Sequence, residues 1–152
     1  RERVEALAAA ARDLDVEAAA APEDVGTRAQ VVISCAPIVR HPARPVHRAH
    51  LPVASVVCAV DFDATFAQDV VEDAVMFVVD DVAQYEHYRH QGYFDGYPAE
   101  ASELCDVLDP VAAHPPGLKA YVPLGIALED VAVAAEINRR AVDAGLGREL
   151  PL

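Results

Sequence analysis

Apolar positions follow two different rhythms along this chain. Over residues 1–14, Val4, Leu7, Ala8, Ala11 and Leu14 recur at helical spacing in an alanine-rich background, which predicts an amphipathic helix. Near the other end, Ile126, Leu128, Val131, Ala134, Ala135, Ile137 and Ala141 repeat the pattern and predict a long helix over 125–144, stopped at Gly145 by a left-handed cap. Between them the apolar residues come as short, near-continuous runs at 30–35, 55–60 and 74–79, rich in β-branched residues, and a shorter one at 118–122 is also expected as a strand. Runs that do not alternate with polar residues predict strands of a parallel sheet covered on both faces. A further short strand is expected over 15–20. Shorter helices are expected at Pro22-Glu23-Asp24, where a proline and two acids suit a first turn, and over 81–90 and 101–108. Segments 37–52, 91–99 and 110–117 carry the prolines and glycines of loops, the first with room for one helical turn. Strands interleaved with helices and loops predict an α/β sheet of the doubly wound kind.

Composition narrows this picture. At 152 residues, 53% of them hydrophobic, the chain fits one domain with a real core and is too apolar for disorder to dominate. A formal charge of -13 argues against general binding to nucleic acid, and no apolar run approaches the ~20 residues that span a bilayer. The charged, amphipathic stretch at 1–14 is not an n-region followed by an h-region, so no signal peptide is expected. Cys35, Cys58 and Cys105 fit neither a disulfide framework nor a zinc spacing, and are expected as buried thiols in a reducing cytoplasm.

The candidate chemistry gathers after the second apolar run, which leads into Asp61-Phe62-Asp63. Ligands of open α/β sheets bind at the carboxyl ends of strands. Two carboxylates alternating across one residue point the same way if the chain stays extended, and such a pair favours one member holding a proton for acid/base work. The alternative is that Asp63 caps a helix. Residues 61–81 hold seven acids (Asp61, Asp63, Asp69, Glu72, Asp73, Asp80, Asp81) and no Lys or Arg, which reads as a solvated face with helix caps; the spacing of a calcium loop is absent. His41, His47 and His50 lie in a Pro/Arg loop, while His87 and His90 lie three apart on a helix with no third ligand nearby, so no metal is assigned. The basic island from Arg40 to Arg48 is either a nucleotide-contacting edge or a connecting loop. Tyr85, Tyr88, Tyr93, Phe94 and Tyr97 pack either against another surface or into the local core. None of the seven glycines forms G-x-G-x-x-G, and the first residue is Arg1, so the chain is expected to be a piece whose phosphate-binding turn lies upstream.

Residues 124–130 (Leu-Gly-Ile-Ala-Leu-Glu-Asp) and 145–152 (Gly-Leu-Gly-Arg-Glu-Leu-Pro-Leu) resemble the C-terminal end of the ornithine cyclodeaminase/mu-crystallin family. Four further stretches agree in order: the helix at 1–11, Val31 to Pro37, Ala59 to Asp63, and Val78 to Asp81 followed by Gln84. The resemblance implies a Rossmann-like doubly wound parallel sheet, incomplete at its N-terminus, over residues 1–123. It implies that 124–152 are a helix and tail returning to a substrate and dimerisation domain. The expected activity is that of an NAD(P)-dependent oxidoreductase or cyclodeaminase acting on a small amino or imino acid, in a cytoplasmic, homodimeric parent. The alternative is a crystallin-like protein that binds NADPH and small ligands without significant turnover. The family's catalytic Asp carries over to Asp63. Its cofactor-contacting positions carry over to Ser34, Cys35, Ala36, Val60, Asp61, Phe62, Pro123, Leu124 and Gly125, with NAD or NADP as cofactor. Three features depart from the family pattern: Asp61 replaces a Gly, Ala64 to Ala67 replace a Pro-Gly-Lys, and Pro123 replaces a Ser or Asn. These argue against ornithine itself as substrate.

Overall fold

The computed structural model describes residues 6, 9–11, 14–21, 24, 26–53, 55–109, 111 and 114–148. All four apolar runs form strands: β1 (Val31–Ser34), β2 (Val56–Ala59), β3 (Met76–Val79) and, after a two-residue β4 (Ser102–Glu103), β5 (Lys119–Val122). The strands are parallel throughout and lie in the order β1-β2-β5-β3-β4. The last strand in sequence therefore sits at the centre, with Cys58 of β2 and Val78 of β3 flanking Tyr121. From Gln68 onward the described residues form the helices α1 (Gln68–Glu72), α2 (Val82–His90), α3 (Leu104–Val107) and α4 (Ala127–Asp143) beside the sheet. Segment 37–52 contributes one 3-10 turn, Arg48–His50. The chain is thus an α/β domain with a parallel sheet.

Local chemistry explains the element boundaries. Asp81 opens α2 by accepting a hydrogen bond from the Gln84 amide at 2.6 Å. Gly145 ends α4 in the left-handed conformation, at φ 65°. The expected helix over 101–108 is shorter and begins later, because Ser102 and Glu103 pair with Val78 and Val79 as β4. The strand expected over 15–20 does not form; alanine offers little to a pleated surface, and most of this segment is exposed coil. The helices expected over 1–14 and at 22–24 fall largely outside the described residues.

The core lies mainly on one face of the sheet. Val32, Val57, Ala59, Ala120 and Val122 point into it, where they meet Phe66, Val70 and Val71 from the α1 region. The loop from Pro37 to Pro52 is tied in as well. Val46 donates to the Thr65 carbonyl at 3.0 Å and accepts from the Ala67 amide at 2.8 Å, and Leu51 is fully buried. The aromatic run belongs to this core: Tyr85, Phe94 and Tyr97 are buried and interlock with Phe62 and Phe77 at centroid distances of 5.0–6.1 Å.

Cover on both faces, expected from the apolar runs, holds for β3, where Phe77, Val78 and Val79 are all buried. It fails for β1, whose Val31 and Ile33 are exposed while Val32 and Ser34 are buried. Among the described residues, β1 is therefore covered on one face alone. α4 also has no buried residue. None of the described helices is long and apolar enough to cross a membrane.

This division of the core predicts unequal responses to truncation. Phe66→Ala is expected to cost about 3–5 kcal/mol in urea unfolding, because Phe66 is enclosed. Val133→Ala on exposed α4 should stay within about 0.5 kcal/mol of the parent.

Candidate functional site

The parallel sheet brings several segments to one edge. Ser34 ends β1 and continues into Cys35-Ala36; β2 continues into Val60-Asp61-Phe62-Asp63; β3 continues into Asp80; β5 continues into Pro123-Leu124-Gly125. All the residues assigned from the family resemblance therefore gather at the carboxyl edge, where α/β sheets bind ligands. Three aspartates are buried there, and their hydrogen bonds distinguish them.

Asp61 joins the first two strand ends. Its Oδ1 accepts from the Ser34 hydroxyl at 2.6 Å, and its Oδ2 accepts from the Ala36 amide at 3.0 Å and the Thr65 hydroxyl at 2.6 Å. Asp80 joins the next two. Its Oδ1 accepts from the Tyr121 hydroxyl at 2.9 Å, and its Oδ2 accepts from the Leu124 and Gly125 amides, both at 2.7 Å. Gln84 adds a bond from Nε2 to the Gly125 carbonyl. Each of these carboxylates has both oxygens engaged, so each is a brace for the backbone around it.

Asp63 is different. Its Oδ2 accepts from the Arg44 guanidinium and from the Phe94 amide at 3.0 Å. Arg44 also donates from Nε to the Asp63 carbonyl at 3.2 Å and from Nη1 to the Asp95 carbonyl at 2.6 Å. Its guanidinium lies 5.1 Å from the Tyr97 ring centroid. Asp63 is only 2% exposed, yet its Oδ1 accepts from none of the described residues. Buried carboxylate oxygens usually accept a hydrogen bond, so this oxygen stands apart from those of Asp61 and Asp80. Asp63 also lines a cleft of about 900 Å³ with Arg40, Arg44 and Tyr93.

Backbone strain gathers at the same residue. Among the described non-glycine residues, positive φ occurs at Arg44 (48°), Phe62 (61°) and Phe94 (60°). Arg44 and Phe94 bind the Asp63 carboxylate, and Phe62 precedes it. Such residues cost of order 1–3 kcal/mol each and cluster at functional sites.

Several expectations are corrected here. The segment at 61–63 is a turn, not an extended chain, and the Ala64 amide donates to the Asp61 carbonyl at 3.2 Å. Asp61 and Asp63 consequently face different partners instead of forming a carboxylate pair. Asp63 is not a helix cap, since α1 begins at Gln68 after Ala67. The acids of 61–81 are not uniformly solvated, because Asp61, Asp63 and Asp80 are buried. The cysteines are free but not buried: Cys35 and Cys105 are exposed and Cys58 is half-covered. Cys58 shares the open face of the sheet with Ile33, its register partner. Partial burial, then Cys35, Asp80 and Asp61, push its thiol pKa up.

The basic island supplies Arg44, which the sequence did not single out from its neighbours. Thr65 and the bracing role of Asp80 also escaped notice, although the match at Asp80 and Gln84 was the available signal. Two of the positions at this edge are open: Val60 is exposed, and a Cβ placed on Gly125 would meet nothing within 4 Å. No protein-family model and no curated protein matches the chain.

Two measurements check this description. Asp61→Asn should cost about 2–4 kcal/mol in chemical denaturation, since one of its oxygens becomes an amide donor facing hydrogen-bond donors. Three tyrosines hold their protons above the usual range, chiefly through desolvation. Tyr85 is pushed up to about 12, and Tyr97 and Tyr121 rise further. Their folded pKa values lie above the unfolded value of about 10, so their contribution is complete below pH ~10 and is lost as pH rises through the folded values. Tyrosinate absorbance should therefore show a late fraction that ionises together with alkaline unfolding. Five tyrosines ionising in one step near the ordinary value of about 10 would contradict the burial described.

Proposed function

We propose that this chain is the carboxyl-terminal part of an NAD(P)-dependent oxidoreductase or cyclodeaminase acting on a small amino or imino acid, with Asp63 as its proton-handling residue. The observation that carries the reading is the unpartnered Oδ1 of buried Asp63, at the carboxyl edge of a parallel sheet and on the wall of a cleft. Of the three buried carboxylates, it is the one with an oxygen to spare among the described residues.

NAD or NADP held along Ser34–Ala36, Val60–Phe62 and Pro123–Gly125 would supply the hydride acceptor or donor. The remaining work falls to side chains of this chain. Arg44 and the Phe94 amide fix Asp63 through Oδ2 and compensate its charge. Oδ1 then accepts a proton from the substrate amine or from an attacking water, and returns it in the reverse direction. Asp61 and Asp80 hold the cofactor-side segments in place without taking part in proton transfer.

The second reading, ligand binding without turnover, draws on the near-complete burial of Asp63. Full-length protein assayed with NAD or NADP and a panel of amino and imino acids separates the two. Asp63→Asn should lower turnover by at least about 100-fold while leaving cofactor affinity within a few-fold. A thermal melt run in parallel checks that the variant stays folded beside Arg44, and Asp63→Glu provides a charged alternative if it does not. Near-normal turnover in either folded variant would remove the proposed role. Cofactor binding with no turnover of any substrate by the unaltered protein would favour the second reading.

A further inference from the structure

The cleft beside Asp63 has a second feature that proton transfer does not use. Acids outnumber Lys and Arg by 25 to 12 in this chain, so an arginine has no shortage of carboxylates to pair with. Arg28, Arg44, Arg48, Arg139 and Arg140 all do so. Arg40 and Arg89 line the cleft together and form no ion pair among the described residues.

Both guanidinium groups are nevertheless held. Arg40 donates to the Gln91 carbonyl and lies 4.8 Å from the Tyr93 ring centroid. Arg89 lies 5.7 Å from the centroid of Tyr85, a fully buried ring. Aromatic faces restrain a guanidinium without consuming its N–H donors. Two restrained arginines facing one cavity lose less rotamer freedom on binding than two mobile ones would. His41 and His90 add further N–H donors to the same walls. The cleft volume of about 900 Å³ suits a small organic molecule.

We infer that Arg40 and Arg89 form a binding site for the carboxylate of a small organic acid. Planar guanidinium groups match a carboxylate through paired N–H donors. Glu86 and Asp95 also line the cleft, and their charges oppose a dianionic phosphate more strongly than a singly charged carboxylate. The inference needs only the cleft and its arginines, and holds whether or not Asp63 carries out proton transfer.

Calorimetric titration of the full chain with propionate, a singly charged carboxylate, and separately with inorganic phosphate at the same ionic strength, tests the site. Saturable propionate binding is expected in the low-millimolar range, tighter than phosphate, and about tenfold or more weaker in Arg40→Gln/Arg89→Gln. Arg40→Lys/Arg89→Lys should recover only part of the affinity, because an ammonium lacks the fork. Thermal melts establish that the variants are folded. Should the double glutamine variant unfold, single Arg40→Gln, at an exposed side chain, gives the same reading. Absence of saturable propionate binding, tighter binding of phosphate, or unchanged affinity in a folded Arg40→Gln protein would overturn the inference.

Discussion

The bond set of Asp61 is the constraint on which this edge of the molecule depends. In a parallel sheet every strand leaves at the same edge as a loop, and the backbone groups there lose the ladder that satisfied them. A buried carboxylate answers that need at short range: Asp61 takes the Ser34 hydroxyl, the Ala36 amide and the Thr65 hydroxyl together. It thereby fixes where β1 ends, how the chain turns after β2, and where Thr65 starts the approach to α1. Val46 then pairs with Thr65 and Ala67, and the loop from Pro37 to Pro52 follows. Asp80 repeats the solution across β3 and β5. The two braces lie either side of the central strand, so they set the relative positions of the segments that line the edge.

Burying three carboxylates together would be unfavourable without compensation, since each loses its hydration. The fold compensates them differently. Asp61 and Asp80 are met by neutral donors, whereas Asp63 is met by a guanidinium, so among the described residues the buried ion pair falls on the carboxylate with an oxygen to spare. The arrangement gives the cleft fixed dipoles and a fixed charge near the spare oxygen. Preorganised polar groups of this kind act on a reacting group without having to rearrange first.

Much of the sheet was legible because buried parallel strands write themselves as near-continuous apolar runs; 30–35, 55–60 and 74–79 do so, and 118–122 does so around Lys119. α2 was legible from Asp81 standing before a helical stretch. β4 was not, because two polar residues, Ser102 and Glu103, carry no run at all; their pairing comes from where β3 lies. The open face of β1 was hidden for the opposite reason: an apolar run reports that its residues prefer burial, not that cover reaches them on both sides. The site divides in the same way. Its location followed from the carboxyl-end rule. The sorting of seven acids into braces, caps and surface groups depended on partners such as Arg44, 19 positions away, and Phe94, 31 positions away, which no spacing rule connects to Asp63.

The strained backbone around Asp63 has a consequence for mutational tolerance. Arg44, Phe62 and Phe94 each occupy a conformation that glycine would adopt more easily. Glycine at 44 would relax the chain but remove the counter-ion of Asp63. Glycine at 62 or 94 would remove a ring from the aromatic core. Any other L-residue would retain the backbone cost while losing the contact that offsets it. The route from this sequence to a related one therefore narrows at these three positions: no single substitution improves backbone and contact together. Drift elsewhere, on α4 or the exposed face of β1, meets no such conflict.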